Sequence, residues 1–241
     1  MSTTQDQLYA IPHEPLSRFT FDDQVAAVFP DMIRRSVPGY ADILHMLSLI
    51  THHYAQPDSQ LYDLGCSLGA ASLAMAQGLT QPGCQILAID QSSAMIARAR
   101  TCLTDPTLPI ILQQADISTQ PIHNASVVVL NFTLQFIPPE QRLALLNRIH
   151  RGLRPGGILM LSEKITSGDA DEQAELEALH HAYKRANAYS ELEISQKRAA
   201  LEQVLIPETR QAHETRLQTA GYQRCTLWYQ HCQFVSWIAH A

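Results

Sequence analysis

Between residues 60 and 162, short apolar runs alternate with stretches of helical periodicity. This alternation restricts the fold more than any other feature of the chain. Runs at 60–64, 85–90, 110–112, 126–131 and 158–162 predict strands, and residues 70–77, 94–103 and 139–153 predict helices between them. The run Ser126-Val127-Val128-Val129-Leu130-Asn131 has almost no polar alternation, as a strand covered on both faces requires. Strands that alternate with helices in this way form a parallel sheet with right-handed crossovers. Arg154-Pro155-Gly156-Gly157 closes the helix before the last of these strands.

The flanks read differently. Pro12, Pro15 and Pro30 predict an irregular opening segment that holds no long helix, with Phe19, Phe21, Val25, Val28 and Phe29 docked on the body. Ile43, Leu44, Leu47 and Ile50 predict a helix from Pro38-Gly39-Tyr40 to His52-His53-Tyr54. Polar helices are expected at 169–186 and 190–205, and another at 209–219 stopped by Gly221. The last two apolar runs, 223–229 and 234–239, are close enough to pair antiparallel. The expected organisation is one domain: a helical cover (1–55), a nucleotide-binding half (56–165), a helical insertion (166–207), and a C-terminal helix with a strand pair (208–241).

Composition narrows the function classes. Hydrophobic residues make up 46%, enough for a full core, and 17 basic against 23 acidic residues leave a net charge of −6. That balance argues against direct nucleic-acid binding, which needs clustered Lys and Arg. Five scattered cysteines without a Cys-x-x-Cys argue against a disulfide framework and a zinc site; Cys102 and Cys225 read as core thiols. The adjacent pairs His52-His53 and His180-His181 lack metal-ligand spacing, so no metal is expected. No leader-like segment and no run near ~20 apolar residues is present, so a cytoplasmic protein without a membrane anchor is expected.

The chemistry concentrates where the strands end. Asp63-Leu64-Gly65-Cys66-Ser67-Leu68-Gly69 takes a strand through a glycine-containing turn into a helix. Such a turn lets backbone approach a ligand, and the helix start adds unpaired N–H groups. It lacks the Gly-Lys-Ser/Thr of a phosphate loop, and Ser67 stands where a dinucleotide binder has its second glycine, so an ordinary tight turn stays open as a reading. Asp90 ends the next strand, 25 residues beyond Gly65, where a carboxylate accepts both hydroxyls of a ribose. Asp116-Ile117 follows the third strand, within reach of an adenine amino group, and Asn131 ends the fourth over the same crevice.

The loop, Asp90 and Leu153-Arg154-Pro155-Gly156-Gly157 resemble the successive motifs of class I S-adenosylmethionine (SAM)-dependent methyltransferases. The resemblance implies a Rossmann-like α/β fold: a seven-stranded, mostly parallel sheet, helices on both faces, and a helical lid and dimerisation insertion. A narrower resemblance spans nearly the whole chain. Val28-Phe29-Pro30-Asp31-Met32-Ile33-Arg34-Arg35-Ser36-Val37-Pro38-Gly39-Tyr40, the stretch from Val129 to Phe136, and Lys184-Arg185-Ala186-Asn187-Ala188-Tyr189-Ser190-Glu191 continuing through Gln196-Lys197-Arg198 are similar to the carboxy-SAM synthase family.

That family converts SAM and prephenate to carboxy-SAM and phenylpyruvate. Its product feeds a tRNA carboxymethyltransferase that builds the 5-oxyacetyl group on wobble uridine. The resemblance implies Tyr40, Gly65, Cys66, Ser67, Asp90, Gln91, Asp116, Ile117, Asn131 and Arg198 around the cofactor, with Gln91 where the family is expected to carry Asn. It gives Tyr40 and Arg198 catalytic roles and brings Arg198 from the neighbouring subunit of a homodimer to the new carboxylate. From charge pattern alone Arg198, beside Lys197, reads as a solvated side chain, and Tyr40 equally as a core tyrosine. Arg34 and Arg35 read either as holders of anionic prephenate or as a surface pair. No protein nucleophile is implied: prephenate loses carbon dioxide and hydroxide, the released hydroxide can take a proton from the sulfonium methyl to leave water, and the resulting ylide captures the carbon dioxide. Two other readings are a methyltransferase acting on a small molecule and a non-catalytic SAM-binding partner of a tRNA-modifying enzyme.

Overall fold

A computed structural model describes residues 4–12, 18–202 and 204–241. The elements run α1 (Asp23–Ser36), α2 (Tyr40–Tyr54), β1 (Gln60–Leu64), α3 (Ala70–Gly78), β2 (Gln85–Asp90), α4 (Ser93–Cys102), β3 (Ile110–Gln114) and β4 (Ala125–Asn131). A single 3-10 turn (Leu134–Phe136) precedes α5 (Pro139–Gly152), β5 (Leu153–Thr166), α6 (Ala170–Ala186) and α7 (Glu191–Leu201). β6 (Glu208–Thr209), α8 (Arg210–Thr219), β7 (Arg224–His231) and β8 (Phe234–His240) complete the chain.

The sheet order is β3-β2-β1-β4-β5-β8-β7, parallel from β3 through β5 and antiparallel from β5 through β8 to β7. The expectation was seven strands; the two-residue β6, parallel to β5 and off this path, makes eight. Side chains alternate between two covered faces. Tyr62, Val128, Leu130, Leu159 and Leu161 face Leu145, Ile149 and Leu217 of α5 and α8. Leu61, Val127, Val129, Ile158 and Met160 face Ile43, Leu47 and Met75 of α2 and α3. Double coverage is why β4 reads as a continuous apolar run and why residues 127–130 are wholly buried.

Three sequence expectations need correction. Pro30 lies inside α1 rather than ending it. The helix carries Val25, Val28 and Met32 on one face into contact with Phe19, Leu68, Met95 and Ala200, and this packing offsets the hydrogen bond that proline forfeits. Pro15 lies outside the described residues. The predicted 154–157 turn persists only as an irregularity within β5: Leu153 opposes Ala125, and the next paired residue, Ile158, opposes Val127. Cys102, expected in the core, is exposed at the end of α4.

α6 and α7 fold back over the carboxyl ends of the strands, against the N-terminal segment. His180 packs its ring 5.0 Å from that of Phe234, and Ala200 enters the cluster built by α1. Ser190 starts α7 with a reciprocal cap: its side chain accepts from the Glu193 N–H, and the Glu193 carboxylate accepts from the Ser190 N–H. α6 and α7 thus roof the end of the sheet where α/β proteins bind ligands.

Candidate functional site

A cavity of ≈ 840 Å³ opens between the strand ends and this roof. β1 delivers the Gly65 loop into it. Gly65 has φ +82, and a Cβ there would lie 2.3 Å from the Thr133 methyl, so the position excludes any side chain. Ser67 takes φ 49, the left-handed conformation that a second glycine would adopt freely. That conformation turns the Ser67 N–H onto Asp90 Oδ2 at 2.9 Å. Asp90 Oδ1 accepts the Ser92 N–H at 2.9 Å. Burial raises the Asp90 pKa against these two stabilising bonds. Two N–H donors leave lone-pair capacity on the carboxylate for a pair of hydroxyls.

Asp63 lies beneath the loop, 1% exposed. Its Oδ2 accepts the Ser72 hydroxyl at 2.5 Å, while Oδ1 is buried without a partner. Burial raises its pKa to about 6, with Ser72 opposing and the Asp90 charge adding. Asn131 Oδ1, at the end of β4, is also buried and unpartnered. Both residues line the cavity, so two acceptors await donors there. Cys66 is held as a thiol by burial and by the Asp63 and Asp90 charges, which removes it as a nucleophile.

Beyond Asn131 the wall becomes aromatic. Phe132 has φ 60, rare for a bulky residue, and this kink carries the chain off β4 and brings Thr133 against Gly65. Ring centroids run from Tyr40 to Phe132 at 6.4 Å, to Phe234 at 5.9 Å and on to His180 at 5.0 Å. Burial, with the Asp63 charge, keeps the Tyr40 hydroxyl protonated. His180 is pushed down to about 3 by burial first and then by Lys184 and Lys164, so it is neutral; its Nε2 donates to the Ser36 carbonyl at 2.8 Å. Lys164, Lys184 and Lys197, from β5, α6 and α7, line this end.

The cavity gathers Tyr40, Gly65, Cys66, Ser67, Asp90, Gln91, Ile117 and Asn131 on its lining. Asp116 is not among the lining residues: it is exposed, and its Oδ1 accepts the Ser118 N–H in its own turn. Arg198 is not among them either; its side chain is 65% exposed on α7, 3.8 Å from Glu177. Neither Arg34 nor Arg35 lines this cavity. Arg34 is exposed beside Asp31, and Arg35 is buried, donating to the carbonyls of Asp6, Asn187 and Ala188. Sequence reasoning missed Asp63 as a site residue, although its place before Gly65 signalled it. It also missed the three lysines: Lys184 and Lys197 lie in the 184–198 segment without a marked role, and Lys164 sits on a separate element.

The arrangement fits SAM. Asp90 suits its ribose, and the open acceptors on Asp63 and Asn131 suit its ammonium group. Among the described residues no cluster of metal-ligating side chains is present.

Comparison with known proteins places this geometry. A methyltransferase domain model matches residues 61–157. Carboxy-S-adenosyl-L-methionine synthase of Geobacter metallireducens is 57% identical over 242 residues, covering 99% of both chains. The protein of that name from Marinobacter nauticus is 55% identical, covering 97% of this chain and 94% of its own. Among solved structures, human N-acetylserotonin methyltransferase in complex with SAM superposes with a TM-score of 0.64 at 17% identity, over 96% of this chain and 60% of its own. A putative O-methyltransferase of Nostoc punctiforme gives 0.65 at 15%, over 91% and 59%. These two share the fold.

Proposed function

This chain belongs to the carboxy-SAM synthase family, and on that premise we propose that it joins the carboxyl group lost by prephenate to SAM, releasing carboxy-SAM and phenylpyruvate. One observation carries the reading: the cavity is polarised. Its inner end presents Asp63, Asp90 and Asn131, and its far end presents Lys164, Lys184 and Lys197, with an aromatic wall between. A nucleoside that carries a cationic amino acid belongs at the first end. An anionic, ring-bearing co-substrate belongs at the second. SAM, when bound, supplies a methyl group made acidic by the adjacent sulfonium.

The chain's own groups then position and shield. Asp90, Gly65, Cys66, Ser67, Gln91, Ile117 and Asn131 hold the nucleoside and amino acid, and Asp116 adds a contact at the adenine rim. The protonated Tyr40 hydroxyl donates toward a carboxylate or the departing hydroxyl. Arg198 of a second copy completes the site in a homodimer; its exposure on α7 supports this reading. The product serves a tRNA carboxymethyltransferase, and the net charge of −6 suits a protein that leaves tRNA to that partner. No helix among the described residues is long and apolar enough to cross a membrane.

The test is purified protein with SAM and prephenate. Phenylpyruvate and carboxy-SAM should appear in equal amounts. Demethylated SAM without a carboxylated species would favour a methyltransferase, and no turnover would favour a non-catalytic binding partner.

A further inference from the structure

The far end of the cavity holds more positive charge than its neighbours neutralise. Lys197 is 6% exposed and committed: its Nζ lies 3.6 Å from Asp6 Oδ2 and donates to Ser36 Oγ at 3.0 Å. Lys164 and Lys184 differ. Both line the cavity, and among the described residues neither ammonium has an ion pair. An enclosed ammonium without a counterion is costly unless a ligand supplies one.

Their location selects the ligand. The ends of β3, β2, β1 and β4 carry, in sheet order, Ile117, Asp90, Gly65 and Asn131, which accounts for a nucleoside and its amino acid tail. Lys164 lies near the carboxyl end of the next strand, β5, opposite Phe234 and beyond the tail. Lys184 comes down from the roof. Between them and Asn131 runs the wall of Tyr40, Phe132, Phe234 and His180.

We propose that Lys164 and Lys184 hold the side-chain carboxylate of the dicarboxylate co-substrate, the one kept in the product, and thereby aim its ring carboxylate at the sulfonium methyl. This rests on the prephenate reading above. The assignment of carboxylates follows from charge: pairing a departing carboxylate with ammonium groups would stabilise it against losing carbon dioxide, whereas pairing the retained one anchors the molecule through the reaction. The lysines are supported in this role by their mutual pressure. Burial, then the charges of Lys197, Lys164 and Arg198, lower Lys184 to about 7, a strain that a bound anion relieves.

The test is Lys184→Met and Lys164→Met, each assayed for SAM affinity, prephenate KM and inhibition by phenylpyruvate. Each variant should raise the prephenate KM and the phenylpyruvate inhibition constant together by roughly 10-fold or more, with SAM affinity within twofold of the parent. Loss of an uncompensated cation should also raise the melting temperature of the free protein. On the unaltered protein, phenylpyruvate should compete with prephenate and its neutral amide should not. Unchanged prephenate KM in both variants, loss of SAM affinity in parallel, or an amide that competes as well as the acid would overturn the assignment. If the unaltered protein makes no phenylpyruvate, the functional reading fails instead of the lysines.

Discussion

At the residue scale, the site depends on a few atoms whose roles separate cleanly. Asp90 is held by two backbone N–H groups and keeps acceptor capacity for ligand hydroxyls. Asp90→Ala should weaken SAM binding by roughly 10- to 100-fold, the value of hydrogen bonds to a charged group, as titration calorimetry would report. Gly65→Ala meets two obstacles, the Thr133 side chain at 2.3 Å and a left-handed φ. Adding Thr133→Ala removes the clash but leaves about 1–2 kcal/mol of backbone strain, so the double variant should regain only part of the lost SAM affinity. Lys184 supplies a pH dependence. It is charged below about 7 and discharges above, so prephenate KM should rise with pH between 6 and 9, and Lys184→Met should flatten that limb. Lys197 is lowered to about 8 mainly by burial, with Asp6 and Glu193 opposing and Arg35 adding, and contributes the upper part of the same limb; Lys164 and Arg198 add positive charge around Lys184, and Glu177 offsets some at Lys164. Gly65 and Asp90 were legible in the sequence because each ends a strand at a recognisable spacing. Lys184 and Lys164 were not, because only the fold shows which face of α6 meets which strand end.

At the element scale, the roof is fastened by a buried polar latch. Asp6 accepts the Tyr189 hydroxyl at 2.5 Å, pairs with Lys197, and donates its N–H to Asp31 at 2.8 Å. Arg35 lies 3.8 Å over the Tyr189 ring and donates to the carbonyls of Asn187 and Ala188. The N-terminal segment, α1 and the α6–α7 connection are thereby joined in one network. Asp6→Ala would leave Lys197 and Tyr189 buried without their acceptor. It should cost about 3–5 kcal/mol, measured by chemical denaturation, and should loosen α7 in hydrogen exchange before the sheet is affected. The sequence showed α6 and α7 as polar helices and Arg35 as one of an undecided pair. Their real assignment depends on contacts more than 150 positions apart in the chain, such as Arg35 to Ala188, which no local pattern carries. The same limit explains Pro30: a local rule predicted a break, and tertiary packing of α1 overrode it.

At the scale of the whole molecule, an acidic chain builds one enclosed basic end within a cavity that is acidic at the other. The parallel strand order fixes that polarity, since every site residue of the core sits at the carboxyl end of its strand. Strand alternation made the sheet legible, apart from the two-residue β6, which is too short for any periodicity. In the proposed homodimer, Arg198 serves the site of the neighbouring copy. Arg198→Ala should leave SAM affinity intact and weaken retention of carboxy-SAM, and mixing it with a SAM-binding-deficient Asp90→Ala chain should restore retention at one site of each mixed dimer, whereas an Arg198 acting within its own subunit would restore none. The most direct test of the whole account follows the carboxyl group itself. With prephenate carrying carbon-13 in its ring carboxylate, mass spectrometry should find the label in carboxy-SAM and not in phenylpyruvate. Carboxy-SAM formed without the label, or a methylated product in its place, would contradict it.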